Sequence, residues 1–133
     1  MSDIKEGQHS ARFSEKVTEE RIRLFCEAVG AEPSNVAPPT FLTVFRHGEF
    51  ELFEKLGLKL SNVLHGEQQY SYPSDILAGD EVSFQTRLSS VLEKKGSSGR
   101  MSFLVFETDI EVTAPIPRKA GTSRTTVIVR EKA

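Results

Sequence analysis

The spacing of apolar residues changes part-way along this chain. Between residues 18 and 56 they recur at helical intervals, and from about Ser61 they alternate. In the first stretch Ile22, Phe25, Cys26 and Val29 fall on one helical face. Thr18 is a suitable N-cap, Glu19 and Glu20 sit where the helix dipole favours acids, and Gly30 is a natural stop. This predicts a helix from 18 to about 29, then a short loop containing Glu32, Pro33, Ser34 and Asn35. Pro38 and Pro39 mark the start of a second helix, because proline is tolerated in a first turn and not inside. Phe41, Leu42, Val44 and Phe45, then Phe50, Leu52, Phe53 and Leu56, carry an apolar stripe as far as Gly57, with an irregularity expected at Gly48. Four of the nine phenylalanines lie here, so this long central helix is the predicted core.

The second half reads as strands. Val63 to Tyr72 is the first, with Tyr70 and Tyr72 on one face. Pro73 to Gly79 connects, and Ala78-Gly79-Asp80 signals a turn. Residues 81–94 alternate through Val82, Phe84, Thr86 and Leu88. Lys94 to Gly99 reads as a polar hairpin turn. Residues 100–113 form another long strand, with a face switch or bulge expected near Glu107. Pro115 to Ser123 reads as a loop, and residues 125–130 as the last strand. Residues 9–16 suit a short edge strand or extended entry. The expected organisation is a flexible tail over 1–10 and a single domain over 11–133. Short turns between consecutive strands make the sheet antiparallel. One sheet wrapped on one long helix is an α+β architecture, and its exposed edges favour a dimer.

Composition narrows the function classes. A formal charge of −2 and a pI near 5.9 give nucleic-acid binding no electrostatic support. No apolar run is long enough to span a bilayer, and Met1 to Ser10 lacks the apolar stretch of a secretory signal. A single cysteine, Cys26, allows no intrachain disulfide, and the expected location is cytoplasmic. Cys26 itself reads as a small buried hydrophobe. Three scattered histidines give no metal-ligand spacing, and no Gly-rich phosphate loop is present, so neither a metal nor another cofactor is expected.

Few residues offer chemistry. His65 opens a strand and suits acid–base work near neutral pH; its alternative is a structural histidine. Strand alternation would place Glu67 on the same face. Glu32 is a loop carboxylate that could serve as a base or simply be solvated. His47 follows Arg46 and reads as an exposed helix residue that could touch a phosphate, and Asp80 as a turn former. At the start of the central helix, Thr40 and Phe41 would offer free N–H groups to a carbonyl or anion.

The run Phe25-Cys26-Glu27-Ala28-Val29-Gly30, then Ala37-Pro38-Pro39-Thr40-Phe41, Leu64-His65-Gly66-Glu67-Gln68 and Ala78-Gly79-Asp80, resembles the MaoC-like dehydratases, in their N-terminal hot dog domain type. Gly99, Glu107-Thr108 and Val127-Ile128-Val129-Arg130 fit the same pattern, so the resemblance covers about residues 11–130. It implies a hot dog fold and an (R)-specific hydratase or dehydratase. The substrates would be acyl thioesters of coenzyme A or acyl carrier protein. It also implies an aspartate and a histidine, in a loop before the central helix, that hold the water being added or removed. Here that loop is only Ala31-Glu32-Pro33-Ser34-Asn35-Val36, so no residue inherits the pair.

Three readings follow. The first is a substrate-binding half lacking the dyad, with Thr40, Phe41, Phe45 and His65 against the acyl thioester, working as a homodimer or as a heterodimer with another hot dog subunit. The second is a stand-alone homodimeric hydratase using His65 or Glu32. The third is a non-enzymatic acyl-CoA-binding protein on the same scaffold.

Overall fold

The computed structural model describes residues 5–97 and 99–131. Strand β1 (Phe13–Lys16) leads into helix α1 (Glu19–Val29). Thr18 Oγ1 accepts the Arg21 N–H at 3.1 Å, and Gly30 ends the helix at a left-handed φ of 74° that glycine adopts without strain. Ile22 and Cys26 are its fully buried residues and Phe25 is half-buried, but Val29, expected on the same face, is exposed because it is the last helical residue before the Gly30 turn.

The long central helix is not continuous. A 3-10 turn spans Pro39–Val44, the chain bends at Phe45 (φ −90°, ψ 62°), and helix α2 runs His47–Lys55. The break falls before Gly48, and packing causes it. Phe45 turns into the core to meet Phe84 at a ring separation of 5.1 Å, while α2 drops towards the sheet at Gly48. A β-carbon on Gly48 would lie 2.6 Å from both Ser10 Oγ and Thr86 Oγ1. The irregularity expected at Gly48 is thus a full break, which the helical spacing of Phe45, Leu52 and Leu56 on either side conceals, because tertiary contacts override local periodicity. Phe50 itself is 48 % exposed, under the Arg46 guanidinium at 4.8 Å.

Four more strands complete the sheet: β2 (Val63–Ser71), β3 (Glu81–Gly96), β4 (Gly99–Ala114) and β5 (Arg118–Glu131). The order is β1-β3-β4-β5-β2, all antiparallel, so β1 and β2 are the edges. This is the expected α+β hot dog arrangement. In place of a long loop over 115–123, β5 begins at Arg118. A bulge opposite Ile110 and Glu111 and the small pair Ala120-Gly121 hide its alternation. β4 keeps one alternation past Glu107, and the bulge expected there lies across the ladder at Ser89 of β3. The hairpin turn contains Ser98, which lies outside the described residues.

Within the segment expected as a tail, residues 1–10, the last four lie along the sheet. Gly7 N–H donates to the Leu88 carbonyl, Leu88 N–H to Gln8, and Ser10 N–H to Thr86, so residues 7–10 run along β3 and extend the β1 edge. Their polar side chains gave no strand signal because the backbone makes these bonds. Residues 1–4 lie outside the described residues.

The inner face of the sheet holds two apolar clusters. One joins α1, the 3-10 turn, Phe84 and Ile110; the other joins Leu52, Phe53, Leu88, Phe106 and Val127. Between them runs a polar row across the strands. Thr86 faces Thr108, Thr108 faces Ser123, and the Thr86 and Thr108 hydroxyls bond at 2.6 Å. All three are buried. The row is tolerated because the hydroxyls find partners.

Candidate functional site

The polar row reaches the β2 edge at Gln68. Gln68 Nε2 donates to Ser123 Oγ (2.9 Å) and to the Arg124 carbonyl (3.2 Å). Its Oε1 accepts from Thr125 Oγ1 at 2.9 Å and lies 3.2 Å from His65 Nε2. His65 is exposed at the end of this chain of contacts. His65 and Glu67 do not share the face that strand alternation would give them. A bulge between them shifts the register, so His65 pairs with Val127 and Glu67 with Thr126. Paired residues share a face, and Val127 is buried while Thr126 points the other way. Glu67 instead accepts from Gln69 Nε2 at 2.7 Å on the outer face. The bulge sits at Gly66, and alternation counted through it assigns Glu67 to the wrong side.

The 3-10 turn offers less than its sequence promised. Phe41 N–H donates to the Pro38 carbonyl at 2.9 Å and is not free. Pro39 has no N–H, which leaves Thr40, an exposed residue whose N–H meets no acceptor among the described residues. Phe41 and Phe45 are each 1 % exposed and stack edge-on at 5.7 Å, with Phe25 completing the aromatic set. In the single chain they face the core. A crevice at the start of the turn, lined by Ala37, Pro38, Pro39, Leu42, Tyr72, Ser74, Asp75 and Ile76, measures about 10 Å³, room for roughly one water.

Glu32 is exposed in its loop, which is tied down around it: Val36 bridges Leu77, Ala37 N–H donates to Ile76, and Ala78 N–H donates to Asn35. Asp80 is buried and serves the turn, accepting from Leu77 N–H at 2.8 Å and from Arg118 at 2.6 Å. His47 is exposed, its ring 5.6 Å from Phe13 and 5.5 Å from Phe84. Cys26 is fully buried. The residues missed by sequence reasoning are Gln68, which meets His65, Ser123 and Thr125, which bond Gln68, and Glu49, a buried carboxylate held by two bonds from Arg46. Glu49 interrupts an apolar stripe, which was its one signal.

Residues 31–114 match the family model described as FAS1-like, dehydratase domain region. The chain belongs to that family. An UPF0336 protein of Streptomyces coelicolor is 31 % identical over 100 residues, which cover 62 % of this chain and 67 % of that protein. The mycobacterial relatives it matches are longer still, and it spans 48 % and 44 % of two of them. Among solved structures, the truncated HadBC (3R-hydroxyacyl-ACP dehydratase) complex of Mycobacterium tuberculosis superposes with a TM-score of 0.71 at 19 % identity, over 92 % of this chain and 96 % of that one. A MaoC-like dehydratase from Rhodospirillum rubrum gives 0.67 at 15 % identity, over 100 % and 97 %. These likenesses establish the hot dog fold of the family. Among the described residues no helix is long and apolar enough to cross a membrane.

Proposed function

We propose that this chain is the substrate-binding half of a (3R)-hydroxyacyl-thioester dehydratase or enoyl-thioester hydratase, completed by a second hot dog subunit that carries the acid–base pair. The observation that carries this reading is the 31–36 loop, whose one ionisable group is the exposed Glu32. Hydration adds hydroxide character at C3 and a proton at C2, so it needs a base for water and an acid for the α-carbon. Glu32 alone offers one group for two tasks. What this chain contributes is the Thr40 N–H, aimed at the thioester oxygen as enolate charge develops. The crevice beside it is too small for an acyl chain, which fits a pocket whose other wall belongs to a partner. A complex is also the form of the HadBC structure. The reading places the protein in the cytoplasm, with coenzyme A or acyl carrier protein as the thioester carrier.

The test is loss of the conjugated enoyl absorbance of a trans-2-enoyl-CoA. The folded chain alone should give no turnover, and addition of a hot dog subunit with aspartate and histidine in the corresponding loop should restore it. Turnover by the chain alone would overturn the proposal.

A further inference from the structure

Gln68 has an amide whose two ends can be told apart from its partners alone. The Arg124 carbonyl can only accept, so the end 3.2 Å from it is the NH₂ group. The opposite end is therefore the oxygen. It takes the Thr125 hydroxyl proton at 2.9 Å, which leaves the His65 contact at 3.2 Å to be made by a protonated Nε2. In a neutral imidazole only one nitrogen carries the proton. Nδ1 then keeps its lone pair, on an exposed ring beside the open edge of β2.

We propose that Gln68 is the positioning residue for His65, holding it as the Nε2–H tautomer so that Nδ1 is a fixed hydrogen-bond acceptor at the subunit seam. The group it engages must be a donor: a hydroxyl, ammonium or N–H from the partner subunit, or the water of the reaction. The inference deepens the proposed function by assigning a polar anchor on this chain, and it rests on that reading for the identity of the seam. The order of causes is legible in the fold. The Thr125 and Ser123 hydroxyls and the Arg124 carbonyl fix Gln68, and Gln68 fixes the ring. None of these depends on Glu67, which the bulge turns to the other face.

The experiment is long-range ¹H–¹⁵N correlation of the histidine rings in the ¹⁵N-labelled full chain at about pH 8, above the ordinary imidazole range. His65→Gln assigns the signals, and His9 and His47 serve as internal references. His65 should show Nε2–H with a bare Nδ1. Gln68→Leu should lower the tautomer ratio roughly 3- to 10-fold, the equivalent of one ordinary hydrogen bond. An Nδ1–H ring in the unaltered protein, or identical ring spectra for the unaltered protein and Gln68→Leu, would overturn the proposal. If Gln68→Leu fails to fold, the tautomer of the unaltered ring still decides it. The spectra are read without substrate, so this test fails or succeeds independently of the hydratase assay.

Discussion

The two edges of the sheet are built to different ends. β1 is four residues long and is prolonged by residues 7–10 along β3. Its flank carries charge, with Glu15 paired to Arg21 at 2.8 Å and Arg12 reaching Ser83 at 3.1 Å. Short, charged edges discourage strand addition. β2 is nine residues long, with Leu64 61 % exposed and a bulge at its centre. A long edge with an exposed leucine invites a partner strand, and the ring of His65 stands beside it. The contrast is between a short edge guarded by charge and a long edge left open.

The largest expected effect on association comes from charging the open edge. Leu64→Lys should weaken association, with itself or with a partner subunit, by at least about tenfold, since burying a leucine is worth about 1.5–3 kcal/mol. Ser14→Lys, the matching change on β1, should leave association unaltered. Sedimentation velocity over a concentration series reads both, and equal losses would erase the distinction between the edges.

Two glycines probe how each side is seated. A β-carbon on Gly121 would clash with the Ser71 carbonyl oxygen and lie 3.1 Å from Tyr72 Cα, so Gly121→Ala pushes β2 off the 3-10 turn. The obstacle is backbone, and the expected cost is about 3 kcal/mol in denaturant unfolding. On the β1 side, Gly48→Ala meets the hydroxyl ends of Ser10 and Thr86, which can give way, and it gains helix propensity. Its net cost should be about 1 kcal/mol by the same measurement. A larger loss for Gly48 than for Gly121 would reverse this account of the two sides. The smallest effect belongs to the outer face, where Arg87 bonds Glu107 and Asp109, and Glu107 also meets Arg124. The Glu107 contact raises the Arg87 guanidinium above its ordinary pKa. Arg87 is exposed, so Arg87→Ala should cost less than about 1 kcal/mol, and less again in high salt.

Much of this fold could be read from residue order. Thr18, Gly30 and the apolar face between them define α1, because capping and amphipathicity are local properties. Alternation through Val82, Phe84, Thr86 and Leu88 locates β3 for the same reason. The misses are places where backbone geometry departs from its ideal period. The bend at Phe45 and the bulge at Gly66 leave the residue spacing looking regular while turning the chain. Residues 7–10 join the sheet through backbone bonds that carry no side-chain signature. At the candidate site His65 was visible by residue type, but its helpers Gln68, Ser123 and Thr125 come from two strands far apart in sequence. Thr40 was visible as a helix-start donor, while the loss of Phe41 to Pro38 depends on the 3-10 bond pattern.

β3 and β4 are sixteen residues each and apolar enough along their lengths to slide against one another while still forming a ladder. A shift of two residues would keep every inner side chain inside, so hydrophobicity alone does not forbid it. It would, however, set Thr86 against Phe106 or Ile110, leaving buried hydroxyls without partners at about 1–3 kcal/mol apiece. The threonine pair thus works as a notch and tooth: one alignment of the hairpin seats it, and the neighbouring alignments jam.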